Sequence, residues 1–148
     1  MRLERIEFGS SEARKGPAAA VQTMNANIDV TEARLEKGIL ETLFSYAVVY
    51  TPDNSYIRLD GRAVFSGPES KEFFDEWKRT KHLGGPGGEF VVNAINYYAS
   101  INAVFIARVF NLTPPIAPPT IKFETTVSGG MPKSMPAPKR MPAPARKK

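Results

Sequence analysis

Apolar and polar residues alternate strictly along two neighbouring stretches of the chain. In LETLFSYAVVY, one face would carry Leu40, Thr42, Phe44, Tyr46, Val48 and Tyr50. YIRLDGRAVFSG repeats the pattern with Ile57, Leu59, Gly61, Ala63 and Phe65. A period of two is typical of half-buried β-strands, and TPDNS between the two stretches supplies the turn formers Pro52, Asp53 and Asn54. The two stretches therefore predict an antiparallel hairpin.

Two further strands are predicted upstream of this hairpin. TMNANIDVTEARL alternates apolar with polar positions, with an apolar face formed by Met24, Ala26, Ile28 and Val30. LERIEF, near the start of the chain, indicates a fourth strand. An antiparallel sheet of three or four strands with one polar face needs a cover on its other face. That cover must come from the C-terminal half.

Two helices are predicted to form the cover. PESKEFFDEWKRTK begins with a proline and acidic residues and ends in basic residues, which suits the helix dipole, and Phe73, Phe74 and Trp77 cluster on one side. HLGGPGG predicts a break that acts as a flexible hinge, and Glu89–Phe110 then runs without proline or glycine. We therefore expect an α+β fold, a three- to four-stranded antiparallel meander covered by a short amphipathic helix and a long apolar helix.

The long helix is apolar nearly all round, which raises the alternative of a membrane span. Its polar residues, among them Asn93, Asn96 and Asn102, would be costly in lipid. A helix buried on two sides, against its own sheet and against a second subunit, is the better interpretation. We expect a homo-oligomer, a dimer or tetramer, whose interface contains Tyr98, Ile101, Val104 and Phe105.

A proline-rich stretch, FNLTPPIAPPTIKF, follows the long helix directly. Proline forbids both helix continuation and central-strand pairing, so the stretch should run extended across the domain surface. Leu112, Ile116 and Ile121 are the side chains expected to hold it there. It would be either a packed connector that seals the helix end or one wall of a shallow apolar groove.

The net charge of +5 is concentrated at the C-terminus of the 148-residue chain. Residues 129–148 contain six basic and no acidic side chains, which leaves 14 basic and 15 acidic side chains in residues 1–128. The tail is also rich in proline, so we expect a folded domain over 1–128 and a disordered tail over 129–148. The tail would be a solubilising extension or a basic arm that binds RNA through Lys133, Lys139, Arg140, Arg146, Lys147 and Lys148.

Residues suited to catalysis are scarce. The chain has no cysteine and one histidine, His82, which cannot by itself complete a catalytic or metal site. The GGPGG run lacks the Lys–Ser/Thr pair of a phosphate-binding loop. We expect no enzymatic activity, no catalytic residue, no metal and no cofactor. The first residues contain no apolar run of a secretory signal, so a cytoplasmic location without membrane insertion is expected.

The order of these elements resembles the SecB-type protein-export chaperones. The resemblance is clearest over INYYASINAVFIARVFNLTPPIAPPTIKF, a long helix followed by a proline-rich exit. It implies a dimer of dimers joined through the long helices, with grooves that hold unfolded polypeptide. The chain departs from that family in its basic tail, its lack of cysteine and the absence of an evident second helix after the long one. Transfer of clients to an export motor is therefore not implied.

Two functions follow as hypotheses. The first is a non-enzymatic SecB-like chaperone that binds unfolded or nascent polypeptide in an apolar groove. Its predicted lining is Phe44, Tyr46, Tyr50, Phe65, Phe73, Phe74, Trp77, Leu112 and Ile116. Many of these side chains are equally suited to the core of the sheet. The alternative is a ribosome- or RNA-associated structural protein that uses a SecB-like body as a platform and the tail as its basic arm.

Overall fold

The computed structural model describes residues 1–17 and 23–116. They form four strands and two helices: β1 (Arg2–Arg14), β2 (Thr23–Glu36), β3 (Ile39–Thr51), β4 (Tyr56–Ser66), α1 (Glu69–Thr80) and α2 (Gly85–Val109). The predicted α+β fold, with one antiparallel sheet covered by two helices, is confirmed. The predicted tail with its six basic residues, the domain boundary at residue 128 and Ile121 lie outside the described residues.

The sheet has the strand order β1-β4-β3-β2, and all three neighbouring pairs are antiparallel. Strands β2, β3 and β4 form the predicted meander. Strand β1 returns to lie beside β4, so the four strands have Greek-key topology. The predicted fourth strand is therefore present, and it occupies one edge of the sheet while β2 occupies the other.

The inner face of the sheet follows the predicted alternation. Phe44 lies opposite Gly61, and Tyr46 lies opposite Leu59. Gly61 of β4 allows a close approach of β1 and of the Phe44 ring of β3. A Cβ atom on Gly61 would lie 2.3 Å from the carbonyl oxygen of Glu7 and 2.7 Å from Cζ of Phe44. The ring of Phe44 thus occupies the space above Gly61, and it also meets Phe8 of β1 edge to face at 5.8 Å.

Two tight turns fix the register of the meander. Lys37 and Gly38, between β2 and β3, both have positive φ angles, as a two-residue hairpin loop requires. Between β3 and β4, Oδ2 of Asp53 accepts a 2.8 Å hydrogen bond from Ser55 Oγ, and the backbone of Asn54 is left-handed. The turn between β3 and β4 was predicted from the sequence. The turn between β2 and β3 was not predicted, although the Lys-Gly pair is a short signal for it.

Helix α1 packs on β2 and β3 through Phe73 and Trp77, which are buried as the amphipathic pattern predicts. It ends at Lys81, a left-handed residue whose N–H donates to the carbonyl of Trp77 at 2.7 Å. The Lys81 ammonium lies 3.9 Å from the centre of the Trp77 ring. The end of α1 is therefore held by one of the helix's own buried aromatic residues.

Helix α2 begins earlier than predicted. The glycine-proline run was expected to be a hinge before Glu89, but residues from Gly85 onward form the first turn, with Pro86 in its first positions. Glycine is needed here because α2 starts against the end of α1. A Cβ atom on Gly87 would lie 3.1 Å from Cβ of Phe73, and one on Gly88 would lie 3.1 Å from the carbonyl carbon of Leu83.

The inner side of α2 is narrow, which lets the helix lie close to the sheet. Ala99, Ala103 and Ala107 are all fully buried there, and the ring of Phe90 meets Phe65 of β4 edge to face at 6.2 Å. The 25 residues of α2 extend for about 38 Å. By length and composition alone α2 could also cross a membrane, as the core helices of globular domains often can.

The chain leaves α2 by turning back over the sheet. Asn111 is left-handed, and the N–H of Leu112 donates to the carbonyl oxygen of Ala107 at 2.8 Å. Leu112 and Pro115 are buried, whereas Ile116 is exposed. The first part of the proline-rich stretch is thus a packed connector, one of the two alternatives considered for it.

Candidate functional site

Most of the side chains predicted to line a polypeptide-binding groove lie in the core. Six of the nine belong to the strands and α1, are at most 6% exposed and fill the space between the sheet and the two helices: Phe44, Tyr46, Tyr50, Phe65, Phe73 and Trp77. A polypeptide could reach them only if the sheet and the helices separated. Alternation identified the face of the sheet on which they lie, but it did not show that this face is covered within the chain itself.

The other three predicted lining residues are not brought together in one surface. Phe74 is partly buried against the core, Leu112 is buried, and Ile116 is 79% exposed. Only Ile116 of the nine offers a large apolar side chain at the surface in this chain. The predicted residues therefore do not form a polypeptide-binding surface, and other exposed side chains are the candidates for one.

An exposed apolar surface follows the outer side of α2. All four side chains of the predicted oligomer interface lie on this side, with Ile101 43% and Phe105 62% exposed. The surface continues with residues that the sequence reasoning missed, although their helical spacing was visible. We call the whole set the outer stripe: Tyr97, Tyr98, Ile101, Val104, Phe105 and Val109. Such a contiguous apolar surface is typical of a protein interface.

A second candidate surface is a groove of about 370 Å³ between β1 and the C-terminal half of α2, with polar and apolar lining. We call it the β1 groove; it is lined by Phe8, Gly9, Ser10, Ser11, Leu59, Asn102, Phe105 and Ile106. A register shift between Phe8 and Ser10 interrupts the pairing of β1 with β4 at this point. The groove combines two phenyl rings with hydroxyl and amide groups, so it can accept both an apolar side chain and polar backbone groups.

A third apolar surface is the first half of β2. Met24, Ala26 and Ile28 lie directly opposite Tyr50, Val48 and Tyr46, so they belong to the inner face of the sheet. Their partners on β3 are fully buried, yet Met24 is 43% exposed, Ala26 is exposed and Ile28 is half-buried. We call these three residues the open β2 face. It is open because α1, with 12 residues, is too short to cover a strand of 14.

The second half of β2 is covered. A register shift between Val30 and Glu32 changes which side chains point inward, so that Val30 and Ala33 are both buried beneath α1. The predicted alternation of Met24 to Val30 is therefore correct, but it ends at the bulge. The contrast between the two halves of one strand depends on the length of α1.

The outer face of the sheet carries paired charges beside the exposed apolar side chains of Leu43 and Val49. The guanidinium of Arg62 lies 2.9 Å from the carboxylate of Glu7 and 3.5 Å from that of Glu41. The hydrogen bond from Arg62 lowers the pKa of Glu7 and raises that of Arg62. These groups are exposed, so solvent screens them and they add little to stability. Within the described ranges, no group of His, Asp and Glu side chains could hold a metal ion.

The most strongly perturbed titratable group lies in the core. Burial raises the pKa of the Tyr46 phenol to about 12, and burial also raises the pKa of Tyr50. The hydroxyl of Tyr46 has no hydrogen-bond partner among the described residues, whereas the hydroxyl of Tyr50 donates to the carbonyl oxygen of Thr113. Both side chains are buried between the sheet and the helices, and neither lines the β1 groove, so the rise of their pKa reflects packing. His82 is exposed at the end of α1.

Comparison with known proteins shows the fold. No family model and no curated protein sequence matches the chain. Among solved structures, it is similar to the SecB-like chaperone Rv1957 of Mycobacterium tuberculosis, in complex with a ChAD peptide from the HigA1 antitoxin, with a TM-score of 0.57 and 11% sequence identity. The similarity covers 82% of this chain and 87% of that one. The four-stranded sheet with its two helices is therefore a SecB-like fold.

Proposed function

We propose that the chain is a non-enzymatic chaperone that binds apolar segments of unfolded polypeptide. The observation that carries the proposal is the β1 groove, where two phenyl rings, Phe8 and Phe105, flank the polar groups of Ser10, Ser11 and Asn102. An extended segment of an unfolded chain offers the matching chemistry, an apolar side chain flanked by backbone N–H and C=O groups. The fold supports the same conclusion, since a chaperone of similar structure holds a peptide.

The sequence of the client need not be specific. The rings would contribute most of the binding free energy through burial of apolar surface, which is non-directional. The hydroxyl of Ser11 can donate to or accept from any peptide backbone, whereas the Ser10 hydroxyl already donates to Oδ2 of Asp60 and the Asn102 amide already donates to the carbonyl oxygen of Tyr98. A groove of this kind would select for exposed apolar segments, which are frequent in unfolded chains and rare on folded surfaces.

We assign the outer stripe to a second copy of the chain. Its side chains lie at helical spacing along the C-terminal half of α2, and contact with the same surface of another subunit would bury them symmetrically. Phe105 belongs both to this stripe and to the β1 groove. Assembly would then fix one wall of the groove, so oligomerisation and polypeptide binding would be linked through one side chain.

The test is suppression of aggregation when an unfolded client protein is diluted from denaturant, measured by light scattering without nucleotide. The protein should suppress aggregation at near-stoichiometric ratio. Ser11→Trp, which places an indole in the β1 groove, should weaken suppression several-fold. Asn27→Trp is the matched control, because Asn27 lies on the outer face of β2, away from the groove. Unchanged aggregation at a several-fold excess of protein over client would refute the proposal.

A further inference from the structure

The two walls of the β1 groove carry the same kinds of side chain. The wall formed by β1 has the phenyl ring of Phe8 and the hydroxyl of Ser11. The wall formed by α2 has the phenyl ring of Phe105 and the amide of Asn102. Leu59 of β4, which is 2% exposed, lines the groove as well. The groove is therefore an apolar slot with one polar side chain beside the ring on each wall.

A β-bulge at Gly9 brings Phe8 and Ser11 to the same face of the sheet. Side chains three positions apart on a regular strand point to opposite faces. The register shift between Phe8 and Ser10 adds one residue to β1, so that Ser11 lies opposite the inward-facing Leu59. On α2 no such device is needed, because residues three positions apart on a helix already lie on one side. The bulge thus gives the β1 wall its polar group.

The hydrogen bond that Asn102 already makes decides what its amide can offer. Its side-chain nitrogen donates to the carbonyl oxygen of Tyr98 at 2.9 Å. A carbonyl oxygen can only accept, so this bond fixes the nitrogen toward the helix backbone and leaves Oδ1 as the atom available to a ligand. The hydroxyl of Ser11, an exposed residue, can rotate to direct its proton across the groove. The groove therefore offers an acceptor on the α2 wall and a donor on the β1 wall.

A trans peptide bond has the matching arrangement. Its N–H and C=O groups point in opposite directions, so a peptide unit lying along the groove directs one group to each wall. In an extended segment the side chains alternate above and below the plane of these groups. One of the two side chains beside the peptide unit then points into the groove, between the rings of Phe8 and Phe105.

We propose that Ser11 and Asn102 determine which client segments the β1 groove accepts, by recognising one peptide bond. Oδ1 of Asn102 accepts its N–H, the hydroxyl of Ser11 donates to its C=O, and the neighbouring apolar side chain packs between the two rings. This inference rests on the proposed function and adds which part of a client is recognised. Proline has no N–H, so a proline at the bound position leaves Oδ1 without a donor. The groove therefore selects apolar segments without proline at that position.

Peptide binding measured by fluorescence anisotropy tests the proposal. The parent peptide contains one Leu-Phe-Leu segment in a Gly/Ser background, and a second peptide has the same side chains but N-methyl groups on those three residues, which removes the N–H donors. The second peptide should bind the unmodified protein several-fold more weakly. Asn102→Ala should bind both peptides equally, because the acceptor is gone. This cycle isolates the contact between Asn102 and the peptide N–H from any effect of methylation on the free peptide.

A second comparison tests the β1 wall. Ser11→Ala should weaken binding of the parent peptide several-fold. Ser45→Ala is the matched control and should leave binding unchanged, because Ser45 lies opposite Asp60 on the outer face of the sheet. If N-methylation weakens binding equally in the unmodified protein and in Asn102→Ala, or if Ser11→Ala binds as well as Ser45→Ala, the inference is overturned while the proposed function stands. If the unmodified protein binds neither peptide, the proposed function fails and this inference fails with it.

Discussion

The hydroxyl of Tyr50 donates a 2.6 Å hydrogen bond to the carbonyl oxygen of Thr113. The two residues lie 63 positions apart in the sequence, and the bond ties the end of β3 to the segment that follows α2. Two residues further on, Pro115 is buried, although prolines of surface loops are usually exposed. The exit from α2 is therefore held at a defined place on the sheet.

We predict that Tyr50→Phe lowers the free energy of unfolding by about 1 kcal/mol, because it removes this hydrogen bond and leaves the Thr113 carbonyl without it. Tyr46→Phe is the matched control. It removes the same atom from a neighbouring buried ring, but that hydroxyl has no partner in the described part of the chain. Urea denaturation should show no loss of stability for Tyr46→Phe. Equal losses in the two variants would contradict the prediction.

The raised pKa of Tyr46 predicts that the stability of the fold responds to alkaline pH. Folded Tyr46 keeps its proton up to about pH 12, whereas an unfolded tyrosine loses it near its usual pKa of about 10. Between these values the unfolded state binds fewer protons, so the free energy of unfolding decreases as pH rises, by up to about 1.4 kcal/mol per pH unit. The stabilisation that the difference in the pKa of Tyr46 provides is fully present below pH 10 and is lost by pH 12.

Denaturation series between pH 9 and pH 12 should therefore give a smaller slope for Tyr46→Phe than for the unmodified protein. The pKa values of Tyr50 and Tyr56 are also raised, but both residues are present in the variant. The difference between the two slopes thus reports chiefly Tyr46, whose pKa is also raised by its interaction with Tyr50. Identical slopes would show that the phenol of Tyr46 is not protected from ionisation in the folded state.

For the outer stripe, we predict that Ile101→Asp converts an oligomer into a monomer. Ile101 is 43% exposed in the single chain, so the aspartate can stay hydrated in a monomer but would be buried without a partner in an interface. Asn27→Asp adds the same charge on the exposed outer face of β2 and should leave the assembly unchanged. Sedimentation velocity at micromolar concentration distinguishes the states. A monomeric unmodified protein would remove the basis for this assignment.

Glycine substitutions test the close approach of β1 and β4. Gly61→Ala should lower the free energy of unfolding by about 1–3 kcal/mol, because its Cβ atom would overlap the Glu7 carbonyl and the ring of Phe44. Gly9→Ala is the control, since its Cβ atom would meet nothing closer than the carbonyl oxygen of Asp60 at 3.9 Å. Thermal unfolding should separate the two variants clearly. Similar melting temperatures would mean that the strands can move apart at little cost.

The sheet was largely predictable from the sequence, because each strand carries its own alternation. In Ile57 to Phe65 every second side chain is inward, and no knowledge of the partner strand is needed to see it. The start of α2 was not predictable in this way. Gly87 and Gly88 read locally as helix breakers, and their use as helix residues depends on contacts with Phe73 and Leu83 of the preceding segment.

The candidate site was less predictable than the fold. Alternation assigns Tyr46 and Tyr50 to one face, but whether that face is covered depends on where α2 lies. The β1 groove combines Phe8 with Phe105, and the Greek-key return of β1 to β4 is what brings β1 beneath α2. Local patterns contain no information on such a long-range pairing. The outer stripe could have been extended to Tyr97 and Val109, because helical spacing alone relates them to Ile101.

The pairing of β1 with β4 has a consequence for synthesis on the ribosome. Strand β1 is translated before the other described strands, yet its partner in the described sheet is β4, the last of the four to be translated. Until β4 has emerged, the apolar side chains of Leu3, Ile6 and Phe8 have no sheet to join. Long-range pairing of this kind slows folding, and it exposes the early strand to wrong partners meanwhile. A protein proposed to protect unfolded chains would thus itself pass through a period of vulnerability as a nascent chain.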